Sequence, residues 1–540
     1  MSIVVNGNKT SVEYNTRVSE LHLSELPCGG HGRCGKCKVK ANGEVSPLTD
    51  AEKELLTDAE IKGGIRLACY TFILGSCSIE KITDTDTASV LTAGEKGEIE
   101  LYPAFRSLGV AVDIGTTTVA ARLITPSGEI LSEYGSNNPQ SIFGADVVSR
   151  IEAHLAGNGA ALSELIASEI NKAVISLCES AGRSVSEIDA LTVTGNTVML
   201  YLLTNTSPEP LSHAPFTLSR GFGETLSASE LNISALPPDT EIYLPPCISA
   251  FVGADTVCAV LTAAPRSEKI ALWKNVSDES SDGKSFEKIY QATSSADRNS
   301  TEKPDCSIGY LENKKIAVLA DIGTNGEMAL WKDGQLYVCS TAAGPAFEGV
   351  GISRGMRGEA GAIDKVTVVN GKMCASVIGG GEPKGICGSG LVDAVAALLD
   401  TEEIDETGYL EDGEVTVLSP ITLTDKDIRA VQLAKSAISA GIRTLINEAK
   451  IKSDDVTSLF IAGGFGNYLN KVSAGKIGLL PSELVEKTEN IGNAALVGAE
   501  MLLLNKELRN KAKELSEKAV TVELSTSKYF SECFISGMLF

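Results

Sequence analysis

Long apolar runs are missing from this chain of 540 residues, which argues against a membrane-spanning protein. No run reaches the roughly 18 consecutive apolar residues that a membrane-spanning helix needs. Basic residues are scarce relative to acidic ones, since 47 Lys and Arg stand against 70 Asp and Glu, and the formal net charge is −23. Nucleic acids and anionic membrane surfaces would repel such a protein, so we expect neither as a partner.

An export signal is also missing. Residues 1–6 show no basic stretch followed by an apolar core, so we expect a cytoplasmic protein. The thirteen cysteines are therefore expected to be reduced thiols or metal ligands rather than disulfides. Aromatic residues make up only 5% of the chain, whereas the 52 glycines indicate many tight turns.

One short sequence occurs twice. Residues 110–121 read Val-Ala-Val-Asp-Ile-Gly-Thr-Thr-Thr-Val-Ala-Ala, and residues 318–329 read Val-Leu-Ala-Asp-Ile-Gly-Thr-Asn-Gly-Glu-Met-Ala. Each copy is an apolar strand followed by a Gly-Thr turn and a second apolar run, which predicts a β-hairpin. A single copy would most simply be a structural turn. Two copies suggest duplicated lobes that face each other across a nucleotide cleft.

The residues at the two predicted hairpin tips suit phosphate binding. Glycine allows the backbone to approach a ligand closely, and threonine hydroxyls and exposed N–H groups can hold phosphate oxygens. Asp113 and Asp321 stand where a carboxylate could hold a hydrated Mg²⁺ or orient a water. A third apolar strand, residues 459–467, runs into Gly-Gly-Phe-Gly and is the place for a glycine loop beside an adenosine.

Four cysteines near the amino terminus predict an iron–sulfur site. Cys28, Cys34 and Cys37 follow a C-x5-C-x2-C pattern in a glycine-rich loop, and Cys69 follows after 31 intervening residues. Three thiolates from one loop and a distant fourth can surround a two-iron cluster. Zinc is the alternative, but its usual sites contain two close cysteine pairs. Plant-type ferredoxins have four residues between the first two cysteines, so the five found here leave the reduction potential open.

Two polar segments interrupt the predicted domains, one between domains and one within the last of them. Residues 83–105 are expected to form a linker, which would let the cluster domain move between an electron donor and an acceptor. Residues 274–304 are rich in serine and charge and interrupt the apolar pattern, so they are expected to form a surface insertion. That insertion could serve docking or phosphorylation, or it could be an inert loop.

In combination these motifs resemble those of a known family. The two Asp-Ile-Gly-Thr hairpins and the Gly-Gly-Phe-Gly loop resemble the phosphate and adenosine motifs of the acetate kinase, sugar kinase, heat-shock protein and actin (ASKHA) superfamily. With the cysteine-rich amino terminus, the Asn-Pro-Gln segment at 138–140 and Gly-Asn-Thr at 195–197, the chain resembles the reductive activators of corrinoid proteins. Members of that family use ATP to reduce Co(II) in a corrinoid protein to the methyl-accepting Co(I) form.

The resemblance implies a chain of several domains whose fold class is α+β and α/β. It implies a β-grasp [2Fe–2S] ferredoxin domain over 1–82 and the linker 83–105. A first ASKHA-like lobe over 106–205 and a large carboxyl-terminal ASKHA domain over 206–540, which contains the insertion 274–304, complete the duplicated ATPase core.

The resemblance also implies cofactors, ligands and partners. A [2Fe–2S] cluster, ATP and Mg²⁺ are the expected cofactors, and the partners are a corrinoid protein, an upstream low-potential electron donor and a second copy of the chain in a homodimer. Which aspartate serves the metal and which orients water stays open. The implied site residues are Cys28, Cys34, Cys37 and Cys69 for iron; Asp113, Gly115, Thr116 and Thr117 on one side of the phosphates; Asp321, Gly323, Thr324 and Asn325 on the other; and Gly463, Gly464 and Phe465 beside the adenosine.

Other functions compete with this one. The chain could be a small-molecule kinase of the same superfamily whose ferredoxin domain senses redox state, and it would then yield a phosphorylated product. It could donate electrons to a different low-potential enzyme such as a dehydratase. A plain electron carrier is a third alternative, against which the duplicated hairpin argues.

Overall fold

Three sheets of five or six strands organise the part of the chain that the computed structural model describes. That part comprises residues 2–24, 26, 30, 32, 35–82, 94, 99–264, 316–464 and 468–540. The predicted insertion 274–304 and most of the predicted linker 83–105 lie outside it, and so do the predicted site residues Cys28, Cys34 and Phe465.

The amino-terminal domain is a small mixed sheet with short helices. Its elements are β1 Ser2–Val5, β2 Asn8–Ser11, β3 Lys38–Val45, α1 Asp50–Leu55, α2 Asp58–Lys62, β4 Ile65–Leu67 and β5 Ile73–Lys81. The strand order is β2-β1-β5-β3-β4, with β1 parallel to β5. Asn6 and Gly7, both at positive φ, form the two-residue turn between β1 and β2, as the right-handed twist of a hairpin requires. Glu52 on α1 receives two hydrogen bonds from Arg66 on β4, at 2.9 and 3.0 Å, and holds the helix on the sheet.

The first lobe is built on the first repeated sequence. Its elements are β6 Leu108–Ile114, β7 Thr118–Ile124, β8 Ile130–Asn137, α3 Val147–Ala153, α4 Gly159–Ala181, β9 Ile188–Gly195, α5 Thr197–Leu203, β10 Glu224–Ser227, β11 Glu241–Leu244 and α6 Ala254–Ala263. The strand order is β10-β11-β9-β6-β7-β8. Strands β10 and β11 join this sheet although they lie beyond residue 205, the predicted end of the first lobe.

The second lobe is built on the second repeated sequence. Its elements are β12 Ile316–Ile322, β13 Gly326–Lys332, β14 Gln335–Thr341, β15 Ala362–Val369, β16 Lys372–Val377, β17 Gly385–Ile386, α7 Gly388–Asp400, β18 Glu414–Leu418, β19 Ile421–Thr424, α8 Asp425–Glu448, β20 Val456–Ala462, α9 Lys471–Lys476, β21 Thr488–Gly492, α10 Ala494–Leu504, α11 Leu508–Lys518, β22 Val520–Thr521 and α12 Lys528–Ser536. Its main sheet has the order β21-β20-β12-β13-β14-β22.

The two lobes repeat one five-strand topology, which confirms the predicted duplication. In each lobe an antiparallel hairpin, β6/β7 or β12/β13, is extended on one side by a third antiparallel strand, β8 or β14. On the other side the first hairpin strand pairs with a parallel strand, β9 or β20, and a further parallel strand, β11 or β21, follows. Both central strands are buried, so their near-continuous apolar sequence is what this position requires.

Helices α6 and α10 pack against each other between the two sheets. Their backbones approach closely at Gly498, where a Cβ atom would lie 2.1 Å from the carbonyl oxygen of Cys258. On α10, Glu500 accepts a 2.9 Å hydrogen bond from Arg122 of β7, and both side chains are buried. Because a buried charge left without its partner costs several kcal/mol, on the order of 3–5, this pair fixes the register of α10 on the first lobe. Of the helices described, none is both long and apolar enough to cross a membrane.

Candidate functional site

The tips of the two repeated hairpins have tight turns that their sequence explains. In the first, the Gly115 N–H donates to the Thr118 carbonyl at 2.8 Å, and a Cβ atom at Gly115 would lie 2.9 Å from that same oxygen. Only glycine therefore fits the first tip without a shift of the backbone. In the second, the Gly323 N–H donates to the Asn325 carbonyl at 3.0 Å.

Both tips line a single cavity of about 390 Å³ between the lobes. The end of β20 contributes Gly463, whose positive φ of 94° brings the chain so close to Asp321 that a Cβ would lie 2.6 Å from a carboxylate oxygen. The structure thus brings together all the predicted nucleotide residues that it describes; that they bind nucleotide stays a prediction. These residues are Asp113, Gly115, Thr116, Thr117, Asp321, Gly323, Thr324, Asn325, Gly463 and Gly464.

Buried carboxyl groups dominate the electrostatics of the cavity. Burial raises the pKa of Asp113 to about 7 and that of Asp321 to about 8. The nearby charge of Asp255 adds to both shifts, and that of Asp113 adds to the shift of Asp321. Burial likewise raises the pKa of Asp255 to about 6 and that of Glu327 well above its ordinary value. Asn493, the residue before α10, donates a 3.0 Å hydrogen bond to Asp113 and opposes its shift. Perturbed carboxyl groups in a cleft are typical of a functional site.

Three acidic residues that line the cavity, Asp255, Glu327 and Glu348, were not predicted from the sequence. Asp255 lies in the first turn of α6, and Glu327 is a buried acidic residue within the apolar run of β13. A charged residue inside a buried strand is a signal that could have identified Glu327. Glu348 lies far along the chain from both tips, in a glycine-rich segment that gives no such signal.

The cavity has little positive charge to offset these acids. Among its described lining residues, Arg357 is the one Lys or Arg. No group of three or more His, Cys, Asp or Glu in the described ranges could hold a metal ion. A Mg²⁺ that accompanies a nucleotide usually keeps several waters and takes one or two carboxylates plus phosphate oxygens. Asp113 and Asp321 fit such a role, and the Mg²⁺ itself stays a prediction.

Without nucleotide and Mg²⁺, the protein is expected to become less stable as the pH rises from about 5.5 to 8. An unfolded aspartate loses its proton near pH 4, whereas folded Asp321 keeps its proton up to a pKa of about 8. Between these values the folded state binds more protons, so each such carboxyl lowers the unfolding free energy by roughly 1.4 kcal/mol per pH unit. Apparent melting temperatures measured across this range should fall, and less steeply in Asp321→Asn. A rise with pH, or an equal slope in the variant, would contradict the assignment.

The described half of the predicted iron–sulfur site is a pair of buried thiols. Cys37 directly precedes β3 and Cys69 follows β4, and the antiparallel pairing of these strands brings the two Sγ atoms to 3.2 Å. The hydrogen bond between the thiols lowers the pKa of Cys37 to about 7. Two converging buried thiols, one of them with a pKa lowered toward neutral pH, fit ligands of an iron–sulfur cluster.

A contact joins the amino-terminal domain to the first lobe beside these cysteines. The His22 ring lies 4.7 Å from the Phe143 ring, and the Leu26 N–H donates to the Ser141 carbonyl at 3.2 Å. Burial lowers the pKa of His22, so the imidazole is neutral at this contact near pH 7. Leu26, which lies two residues before Cys28 in the sequence, therefore contacts the first lobe.

The segment 138–146 connects that contact to the first hairpin tip. Asn138 donates through its amide side chain to the Gly115 carbonyl at 2.8 Å, and its backbone N–H donates to the Thr117 carbonyl at 2.9 Å. The fully buried Arg150 donates to the Thr116 carbonyl at 2.6 Å and to the Gly144 carbonyl at 2.9 Å. One segment thus touches both the candidate nucleotide site and the cysteine-bearing domain.

Three regions of the chain match known protein families. Residues 2–74 match a 2Fe-2S iron-sulfur cluster binding domain, residues 108–265 match the RACo middle region, and residues 315–540 match the C-terminal domain of RACo, the ASKHA domain. The three matches agree with the sheets described above.

Individual proteins similar to this chain have related names. The corrinoid activation enzyme RamQ of Eubacterium limosum is 30% identical over 95% of this chain and 94% of its own length. The [Co(II) methylated amine-specific corrinoid protein] reductase of Methanosarcina barkeri is 24% identical over 79% of this chain and 76% of its own. Among solved structures, a reductive activator for corrinoid, iron-sulfur protein superposes with a TM-score of 0.66 at 26% identity, covering 100% of this chain and 98% of its own.

Proposed function

This chain belongs to the family of reductive activators of corrinoid proteins, and from that premise we propose that it reduces a corrinoid partner in an ATP-dependent reaction. The substrate is the Co(II) form of the partner, and the product is the Co(I) form that accepts methyl groups. One electron passes from a [2Fe–2S] centre in the amino-terminal domain, and ATP hydrolysis takes place between the two lobes.

The observation that carries this proposal is the meeting of both Asp-Ile-Gly-Thr tips at one cavity, in a chain that also has a pair of buried thiols 3.2 Å apart. Thr116 and Thr117 face the cavity from the first lobe, and Thr324 and Asn325 face it from the second. These groups would hold a polyphosphate from both sides. Asp113 and Asp321 would hold the Mg²⁺ or orient the attacking water.

The chain's iron ligands are proposed to be Cys28, Cys34, Cys37 and Cys69. When bound there, a two-iron cluster supplies one-electron chemistry at a potential near −400 mV in plant-type proteins. The two thiols described are almost fully buried, which keeps water from the ligand atoms.

The cluster and the ATPase lobes are both needed because the reduction potential of the Co(II)/Co(I) couple in such partners is expected to lie below that of the cluster. Nucleotide can then help only if its binding or hydrolysis favours a complex in which cobalt is easier to reduce. Such coupling is a free energy shared by two sites, so it is reciprocal at the level of binding. The segment 138–146, which contacts the first tip and the cysteine-bearing domain, is our candidate for the connection.

We place this reaction in the cytoplasm, in a homodimer that receives electrons from a low-potential donor. These assignments are proposed from the family to which the chain belongs. Sedimentation analysis of the reconstituted protein tests the dimer, and a single species with the mass of one chain would contradict it.

Mixing the reduced protein anaerobically with MgATP and a Co(II) corrinoid iron–sulfur protein should produce the absorption band of Co(I). Omitting ATP should suppress the band, and the corrinoid protein should in turn stimulate ATP hydrolysis. A phosphorylated small molecule in place of partner-dependent hydrolysis would favour a kinase. An ATPase rate unchanged by saturating Co(II) partner would contradict the proposal.

A further inference from the structure

We propose that Glu348 occupies, in the nucleotide-free protein, the place that a nucleotide phosphate takes between the two hairpin tips. The carboxylate then acts as a latch that a nucleoside di- or triphosphate must displace. This inference rests on the proposed function, because it assumes that the cavity binds a nucleotide.

The backbone places Glu348 in the cavity. It is the last residue of a short 3₁₀ helix, Pro345–Glu348, and the preceding Phe347 is 2% exposed and packs in the core of the second lobe. Gly349, which ends the helix, has a positive φ of 76°, and a Cβ there would lie 2.5 Å from the Met356 carbonyl oxygen. Because buried Phe347 fixes the chain on one side of Glu348 and Gly349 fixes it on the other, the Glu348 carboxylate is directed at the two tips.

The Glu348 carboxylate bridges the two lobes. The Thr117 hydroxyl of the first tip donates to Oε2 at 2.6 Å, and the Thr324 hydroxyl of the second tip donates to Oε1 at 2.9 Å. The two hydroxyl oxygens lie 3.5 Å apart. One anionic group therefore takes a donor from each of the paired tips, as a phosphate between them would.

A phosphate and this carboxylate cannot use the same donors at the same time. Both bring acceptor oxygens to the same two hydroxyl groups, and Arg357 is the one Lys or Arg among the described lining residues that could offset added negative charge. Like charges a few ångströms apart in a partly buried site repel strongly. Nucleotide entry therefore has to move Glu348 away from the tips, which also breaks the bridge between lobes.

The latch predicts that its removal strengthens nucleotide binding. Calorimetric titration of the holoprotein with MgADP and with a non-hydrolysable MgATP analogue, without corrinoid partner, should give about tenfold tighter binding to Glu348→Gln and to Glu348→Ala than to wild type. A side chain needed only for structure would lower affinity when removed, so the direction of the change separates the two roles.

Glu382→Gln is the matched control, since it removes the same charge from an exposed position in the same lobe. Its affinity should equal that of wild type. Unchanged or weaker binding by both Glu348 variants would overturn the latch, and weaker binding would identify Glu348 instead as a group that helps hold the nucleotide. If wild-type protein binds neither nucleotide, the proposed function fails; if wild type binds and the variants match it, only the latch fails.

Discussion

Replacing Cys37 or Cys69 by Ala is expected to abolish corrinoid reduction while leaving nucleotide binding intact. Both thiols are buried and their Sγ atoms lie 3.2 Å apart, so loss of either leaves the iron site one ligand short. The nucleotide cavity is built from other elements and keeps its lining. Iron and sulfide content, the visible spectrum after anaerobic reconstitution and the yield of Co(I) measure the effect.

Cys77→Ala is the control for that experiment. Cys77 is a buried thiol of the same domain, on β5, and burial raises its pKa rather than lowering it. It should retain the spectrum and the reduction activity of wild type. Full iron content together with normal Co(I) formation in Cys37→Ala would show that the four proposed cysteines do not hold the cluster.

Replacing Asp321 by Asn is expected to lower ATP turnover by roughly 10²–10³-fold, the usual effect of removing one group that acts on the reacting phosphate or its water. Asp113→Asn should lower ATP turnover similarly if both carboxylates act on the Mg²⁺ or the attacking water. Asp321 also carries a burial penalty when ionised, so its replacement should raise the melting temperature of the nucleotide-free protein near pH 8. Loss of activity with a gain in stability is the pattern expected at a functional site.

Asp393→Asn tests whether the effect is specific to the cavity. Asp393 is a buried aspartate of the same lobe on α7, and burial raises its pKa, yet it does not line the cavity. Its replacement should leave partner-stimulated ATP hydrolysis close to that of wild type. Equal losses in Asp393→Asn and Asp321→Asn would mean that the second lobe tolerates no such change and that Asp321 has no special role.

The contacts of the segment 138–146 are where the tertiary structure adds most to the sequence. Asn138 and Arg150 hold the segment 138–146 against the first tip, and Phe143 and Ser141 in that segment meet His22 and Leu26. An Asn-Pro-Gln turn by itself indicates only a chain reversal. Its position between the first hairpin tip and the amino-terminal domain depends on how the two domains pack together, which no local pattern encodes.

The sequence by itself determined the repeated hairpins, the residues at their tips and the cysteine pattern. Those features are local: an apolar strand, a glycine turn and a second strand dictate their own geometry. The tertiary structure decided that Asp255, Glu327 and Glu348 share the cavity with the two predicted aspartates. Their approach is set by the packing of α6 and α10 between the sheets. Burial then raises the pKa of Asp255 and of Glu327, and the charges of Asp255 and Asp321 add to the shift of Glu327, an effect that no single stretch of sequence contains.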